Sequence, residues 1–143
     1  MRKTNTASVR EPMSESYVVL GAINIYPLIK AQAVFEGFRK NLGSEQEKAG
    51  AIQSFEFCYE LAWRMIKKVL AQKGVEVASP RDSFREGARS GLIGDPEVWF
   101  DFQKKRNSTV HTYNIEVMDE LVNILPRFSE ELDDLVRKLK AVK

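Results

Sequence analysis

The sequence predicts an all-α protein, an up-and-down bundle of four to five helices. Three observations carry that reading. Apolar residues recur at steps of three and four over most of the chain. Ser, Asp and Pro stand where helices should start and Gly where they should stop. No window alternates with period two for long enough to compete, Tyr17 to Ile25 being the one stretch that comes near it.

Residues 1–16 are polar and charged with almost nothing to bury, which predicts a flexible tail ahead of a single domain over 17–143. The first helix starts with Pro27 in its first turn and carries Leu28, Ala31, Phe35, Phe38 and Leu42 on one stripe up to Gly43. Ser44 and Glu47 form a capping box for the second, whose stripe of Ile52, Phe55, Tyr59, Ala62, Ile66 and Val69 runs to Gly74. That helix would span about 43 Å at 1.5 Å per residue. Ser79, Pro80 and Asp82 open a short third helix ending near Gly91. Asp95 and Pro96 open a fourth, on which Trp99, Phe102 and Arg106 share a side and which Asn107 and Ser108 weaken. From Ile115 a last pattern joins Val117, Leu121, Ile124, Phe128, Leu132, Leu135 and Leu139. Pro126 is expected to kink or break it, with Ser129 capping the second half.

At 143 residues, 43% hydrophobic and 29% charged, the chain can bury an ordinary core without disulfides or metal. A single cysteine, Cys58, makes no internal bridge and suits a reducing, cytoplasmic setting. One His and one Cys fall short of a zinc site, and no cofactor is expected. Twenty-two basic against 20 acidic residues leave a net charge of +2, so any nucleic-acid binding must rest on local clusters. The longest apolar run is about half of what a membrane span needs, and no small-x-small cleavage pattern follows it. Walker A, G-x-G-x-x-G and G-x-S-x-G motifs are absent. Gly43-Ser44 resembles the start of a nucleotidyltransferase site, but the aspartate pair for Mg²⁺ does not follow; the next Asp is Asp82.

The informative segment is Lys104-Lys105-Arg106-Asn107-Ser108-Thr109-Val110-His111-Thr112-Tyr113, which holds the only histidine five residues after an arginine. A histidine moves protons near neutrality, and a guanidinium beside it can hold a phosphate through two hydrogen bonds. The pair suits phosphodiester chemistry. The bland alternative is a surface histidine that caps carbonyls or packs on an aromatic ring. Arg81, Arg85 and Arg89 recur every four residues and, with Lys104 and Lys105, could guide an RNA backbone, or could form a solvated face paired with Asp82 and Glu86. Glu56 and Glu60, one turn apart, read as structural, with Arg64 as an ion-pair partner for Glu60. Cys58 reads as core, although a Cys58–His111 nucleophilic pair stays open.

Three segments in register carry a family resemblance: Gln53-Ser54-Phe55-Glu56-Phe57-Cys58-Tyr59-Glu60-Leu61-Ala62-Trp63; Ser79-Pro80-Arg81-Asp82 with Phe84-Arg85-Glu86-Gly87; and Arg106-Asn107 to His111-Thr112-Tyr113. Over roughly residues 27–140 the chain resembles the nucleotidyltransferase substrate-binding protein family, a branch of the HEPN superfamily, and Arg106 to Tyr113 matches its R-x4-H-x-Y motif. The resemblance implies a dimeric helical bundle assembled with a cognate minimal nucleotidyltransferase into a heterotetramer or larger complex. It implies one of two activities. The first is a metal-independent endoribonuclease toxin, with Arg106, His111 and Asn107 catalytic, silenced when the partner attaches AMP to Tyr113. The second is a non-catalytic subunit that binds a substrate or nucleotide and completes the transferase. A single histidine cannot both take and give the proton in 2′-hydroxyl cleavage, so the first activity predicts a homodimer that brings two motifs to one cleft.

Overall fold

The structure, a computed structural model, describes residues 15–143; of the tail expected over 1–16, residues 1–14 lie outside the described residues. A two-stranded antiparallel hairpin, β1 (Val18–Val19) and β2 (Ile23–Asn24), precedes five helices. These are α1 (Tyr26–Arg39), α2 (Glu45–Gln72), α3 (Pro80–Arg89), α4 (Pro96–Asn107) and α5 (Ile115–Lys140), with a 3₁₀ turn, Ser108–His111, between α4 and α5. The stretch from Tyr17 to Ile25 is thus the hairpin. Its turn places Leu20 and Gly21 at φ 52° and 71°, the doubly positive signature of a type I′ turn, and Ala22 N donates to Val19 O.

The start signals act as their chemistry requires. The side chains of Ser44, Ser79 and Asp95 accept from the backbone N–H groups of Glu47, Asp82 and Glu97. Asn114 caps α5 in the same way, accepting from Glu116 N and Val117 N. The first helix ends at Arg39, before Leu42, and Phe38 on its expected stripe is half exposed.

The central helix is α2, which packs against α1, α3, α4 and α5. Its expected stripe is buried throughout. Phe128 of α5 is the centre of the core, meeting Phe35 of α1, Phe55 of α2, and Trp99 and Phe102 of α4 edge-on at centroid distances of 4.7–5.8 Å. Such pairs add about 0.5–1.5 kcal/mol each beyond the area they bury. One ring therefore ties the four longest helices together and fixes how α4 lies on α2.

The expected break at Pro126 does not occur: α5 runs unbroken through it. Proline removes one backbone N–H, but Pro126 faces solvent, where water can serve the carbonyl left over. The flanking Leu121, Leu125, Phe128 and Leu132 are buried and hold both halves to the same core. Ser129 is accordingly no cap; its hydroxyl donates to the carboxylate of Glu36 on α1. No helix among the described residues is long and apolar enough to cross a membrane.

Candidate active site

The core sets where Arg106 goes. Trp99 and Phe102 on the same side of α4 are buried against the aromatic cluster, so Arg106, one turn beyond Phe102, is laid onto α2. Its Nη1 stands 3.2 Å from Glu56 Oε2 and donates to Thr109 Oγ1, also at 3.2 Å. Its Nε lies 3.5 Å from Glu60 Oε2, an ion-pair distance without hydrogen-bond geometry. Glu60 also meets Arg64 at 3.6 Å and accepts from Trp63 Nε1 at 3.2 Å, so charges alternate along the row Arg64, Glu60, Arg106, Glu56. Glu56 and Glu60 are thus the clamp on Arg106.

Thr109 is the joint of this network. Buried in the 3₁₀ turn, its hydroxyl oxygen lies 2.9 Å from Glu56 Oε2 and 2.8 Å from Arg106 O, with one proton to share between these two acceptors. The guanidinium keeps Nη2 with no partner among the described residues. With five donors in a rigid fork, the arginine can be anchored through Nε and Nη1 and still offer Nη2 to an anion.

The α4 helix ends where Asn107 and Ser108 weaken it, and Ser108 Oγ donates to Lys104 O. The 3₁₀ turn then turns His111 outward into solvent. Tyr113 is 83% exposed, and its hydroxyl lies 3.4 Å from His111 Nδ1 with the rings edge-on at 5.9 Å. That contact engages Nδ1. No hydrogen bond joins His111 to Arg106. Val110 and Ile115 flank the pair, each 69% exposed, an apolar rim around the histidine.

The basic stripe resolves into unlike residues. Arg85 pairs with Asp82 and Arg89 with Glu86, at 3.1 and 3.0 Å. Lys105 meets Asp101 at 3.7 Å. Arg81 instead lies over the ring of Phe100, 4.0 Å from its centroid, and shares a cleft with Lys104 and Asn107. Asn107 is therefore exposed on the cleft side of α4, whereas Arg106 faces α2.

Cys58 takes no part. It is fully buried, and burial together with the nearby Glu36 carboxylate pushes its thiol up from 9.0 to about 12, the wrong direction for a nucleophile. The open pairing with His111 is excluded by these positions, one inside the core and one on the surface. Burial and Glu60 likewise raise the Tyr59 phenol, with Arg106 opposing.

The site is thus an exposed turn on a helical bundle that presents R-x4-H-x-Y, with the arginine clamped to the central helix. The model of the nucleotidyltransferase substrate binding protein like family matches residues 25–141, and the chain belongs to that family. A Haemophilus influenzae protein named as the probable ribonuclease HepT is 44% identical over 73 residues. That match covers 48% of this chain and spans only half the length of the relative. A solved Haemophilus influenzae structure, described as the fold of a substrate binding domain of a nucleotidyltransferase, is 30% identical, with a TM-score of 0.76 over 82% of this chain and 99% of its own. A Thermus thermophilus structure is 28% identical, with a TM-score of 0.74 over 78% of this chain and 98% of its own. A tri-AMPylated Shewanella oneidensis HEPN toxin, solved in complex with an MNT antitoxin, shares the fold at 18% identity, with a TM-score of 0.68 over 82% and 94% of the two chains.

Proposed function

We propose that this chain is the toxin of a toxin–antitoxin pair, a cytoplasmic, metal-independent endoribonuclease held in check by a minimal nucleotidyltransferase that attaches AMP to Tyr113. The observation that carries the reading is the exposed His111–Tyr113 pair on the turn that follows an arginine whose Nη2 has no partner among the described residues. Resemblance to a probable ribonuclease adds to it. In this reading two copies pair so that their turns face one cleft. His111 of one copy takes the proton from the RNA 2′-hydroxyl, and O2′ attacks the adjacent phosphorus. The P–O5′ bond breaks, leaving a 2′,3′-cyclic phosphate, and His111 of the other copy returns a proton to the departing 5′-oxygen. Arg106 steadies the charge that builds on the phosphoryl oxygens through Nη2, and Asn107 orients the scissile group. AMP on Tyr113 would place a charged, bulky group against His111 and stop the exchange.

One observation favours a second reading. The charge of Arg106 is already balanced by Glu56 and Glu60, as expected of an arginine whose work is structural. The chain would then be a non-catalytic subunit presenting a nucleotide to the transferase, in keeping with the description of its Haemophilus relative. Cleavage of total RNA in EDTA by protein shown by mass to be unmodified at Tyr113 separates the two. The ribonuclease reading expects cutting by the wild type and none by His111→Ala or Arg106→Ala. No cutting by any of them supports the binding subunit.

A further inference from the structure

The cleft between α3 and α4 is the least explained part of the surface. It encloses about 520 Å³, within the roughly 300–1,000 Å³ of small-ligand sites, and is lined by Arg81, Glu97, Phe100, Asp101, Gln103, Lys104 and Asn107. Three features distinguish it from an ordinary solvated face. First, Arg81 is the one arginine of the α3 stripe with no carboxylate partner; its guanidinium lies 4.0 Å over Phe100, with Arg85 5.9 Å from the same ring. Its guanidinium is thus held against the ring while the residue stays exposed to solvent. Second, Lys104 and Glu97 line the same cleft and neither has an ion-pair partner among the described residues, while Asp101 is engaged by Lys105. Third, Asn107 sits at the end of the cleft, next in sequence to Arg106 and at the start of the turn that carries His111.

Two cations and two carboxylates make a poor cradle for a lone phosphate. They suit a nucleotide better. A guanidinium plane backed by an aromatic ring is a stacking platform for an unpaired base. A free carboxylate accepts from an exocyclic amine, and a neighbouring lysine meets the phosphate one bond path away. We propose that this cleft is a base-recognition subsite for a single-stranded RNA nucleotide flanking the scissile phosphodiester, with Arg81 on Phe100 as the platform, Glu97 as the acceptor and Lys104 at the backbone. Adenine, cytosine and guanine carry the amine that Glu97 requires, and uracil does not. This inference rests on the ribonuclease reading for its place in catalysis, but the binding it describes does not.

The test compares wild type with Arg81→Ala, Arg81→Lys and Glu97→Gln on short labelled RNAs that differ in one flanking base, reading both cleavage and, in the His111→Ala background, binding by anisotropy. All three substitutions fall at surface positions, and thermal melts check folding. Removing a stacking contact should lower kcat/KM, and affinity in the silent background, by roughly 5- to 100-fold. Arg81→Lys keeps the charge but loses the plane, so it should behave like Arg81→Ala; a purely electrostatic role would be rescued. Glu97→Gln should flatten the preference against uracil. Rescue of Arg81→Ala by lysine at that position, a Glu97→Gln effect uniform across all bases, or no RNA binding by the His111→Ala protein would each overturn the subsite. RNA that is bound with this base preference but never cut would leave the subsite standing and sink the ribonuclease reading. Cutting whose base preference ignores Arg81 and Glu97 would do the reverse.

Discussion

Replacing Thr109 by Val removes a hydroxyl that serves three partners while keeping the shape of the side chain. The oxygen accepts from Arg106 Nη1 at 3.2 Å and shares its proton between Glu56 Oε2 at 2.9 Å and Arg106 O at 2.8 Å. Two of these are bonds to charged groups, each worth about 1.5–3 kcal/mol when the partner is left buried and unmet. Both charged partners are only about 30% exposed at the side chain, so water replaces part of what is lost. The net cost is about 2 kcal/mol. For a domain of this size that lowers Tm by roughly 6 °C. Thermal melts of wild type, Thr109→Val and Thr109→Ser at neutral pH are the assay. Serine restores the oxygen and should recover most of the loss. Equal melting of the serine and valine variants, or a valine variant within about 1 °C of wild type, would show that the hydroxyl does not organise Arg106.

Phe128→Ala opens a cavity where the rings of four helices meet, and chemical denaturation should show a loss of about 3–5 kcal/mol. Cys58 keeps its proton in the folded protein up to about pH 12 but loses it near pH 9 when unfolded. The unfolded state therefore binds fewer protons over that window, and stability falls as pH rises. The slope contributed is up to about 1.4 kcal/mol per pH unit above pH 9, and it should disappear in Cys58→Ala, read as the difference between the two pH profiles. Tyr113→Phe should melt within about 0.5 kcal/mol of wild type, since the ring is 83% exposed. Incubated with the proposed partner transferase and ATP, it should gain no AMP by mass; an AMP adduct on this variant would place the acceptor elsewhere.

What could be read from the sequence was whatever is settled within one or two helical turns. Ser44, Ser79 and Asp95 announce helix starts because a cap acts three residues away or nearer. The stripe from Ile52 to Val69 announces a buried face because burial follows the period of one helix. Pro126 misled because its local penalty is outweighed by four buried residues gripping the α5 helix on either side, a tertiary effect with no local sign. The motif from Arg106 to Tyr113 was visible as a string, and His111 and Tyr113 do meet. The clamp was not, because Glu56 and Glu60 lie about fifty positions upstream and only the packing of α4 on α2 brings them to Arg106. Thr109 escaped notice for a related reason: a threonine between two named residues reads as a spacer until its hydroxyl is seen to face Glu56.

The division between an arginine wired into the interior and a histidine left on an open turn has a consequence for how such proteins change over generations. The His111 side chain meets only the exposed Tyr113 among the described residues, so a lineage can shed the imidazole and keep the architecture intact. Loss of Arg106 instead leaves Glu56 without its cation and Glu60 with Arg64 alone, and selection for a folded chain would resist it even where no RNA is cut. Silent descendants should therefore be recognised by a missing histidine above a retained arginine. If the proposed chemistry holds, the order in which the two letters vanish becomes a record of which ancestors had lost the reaction and which had lost stability.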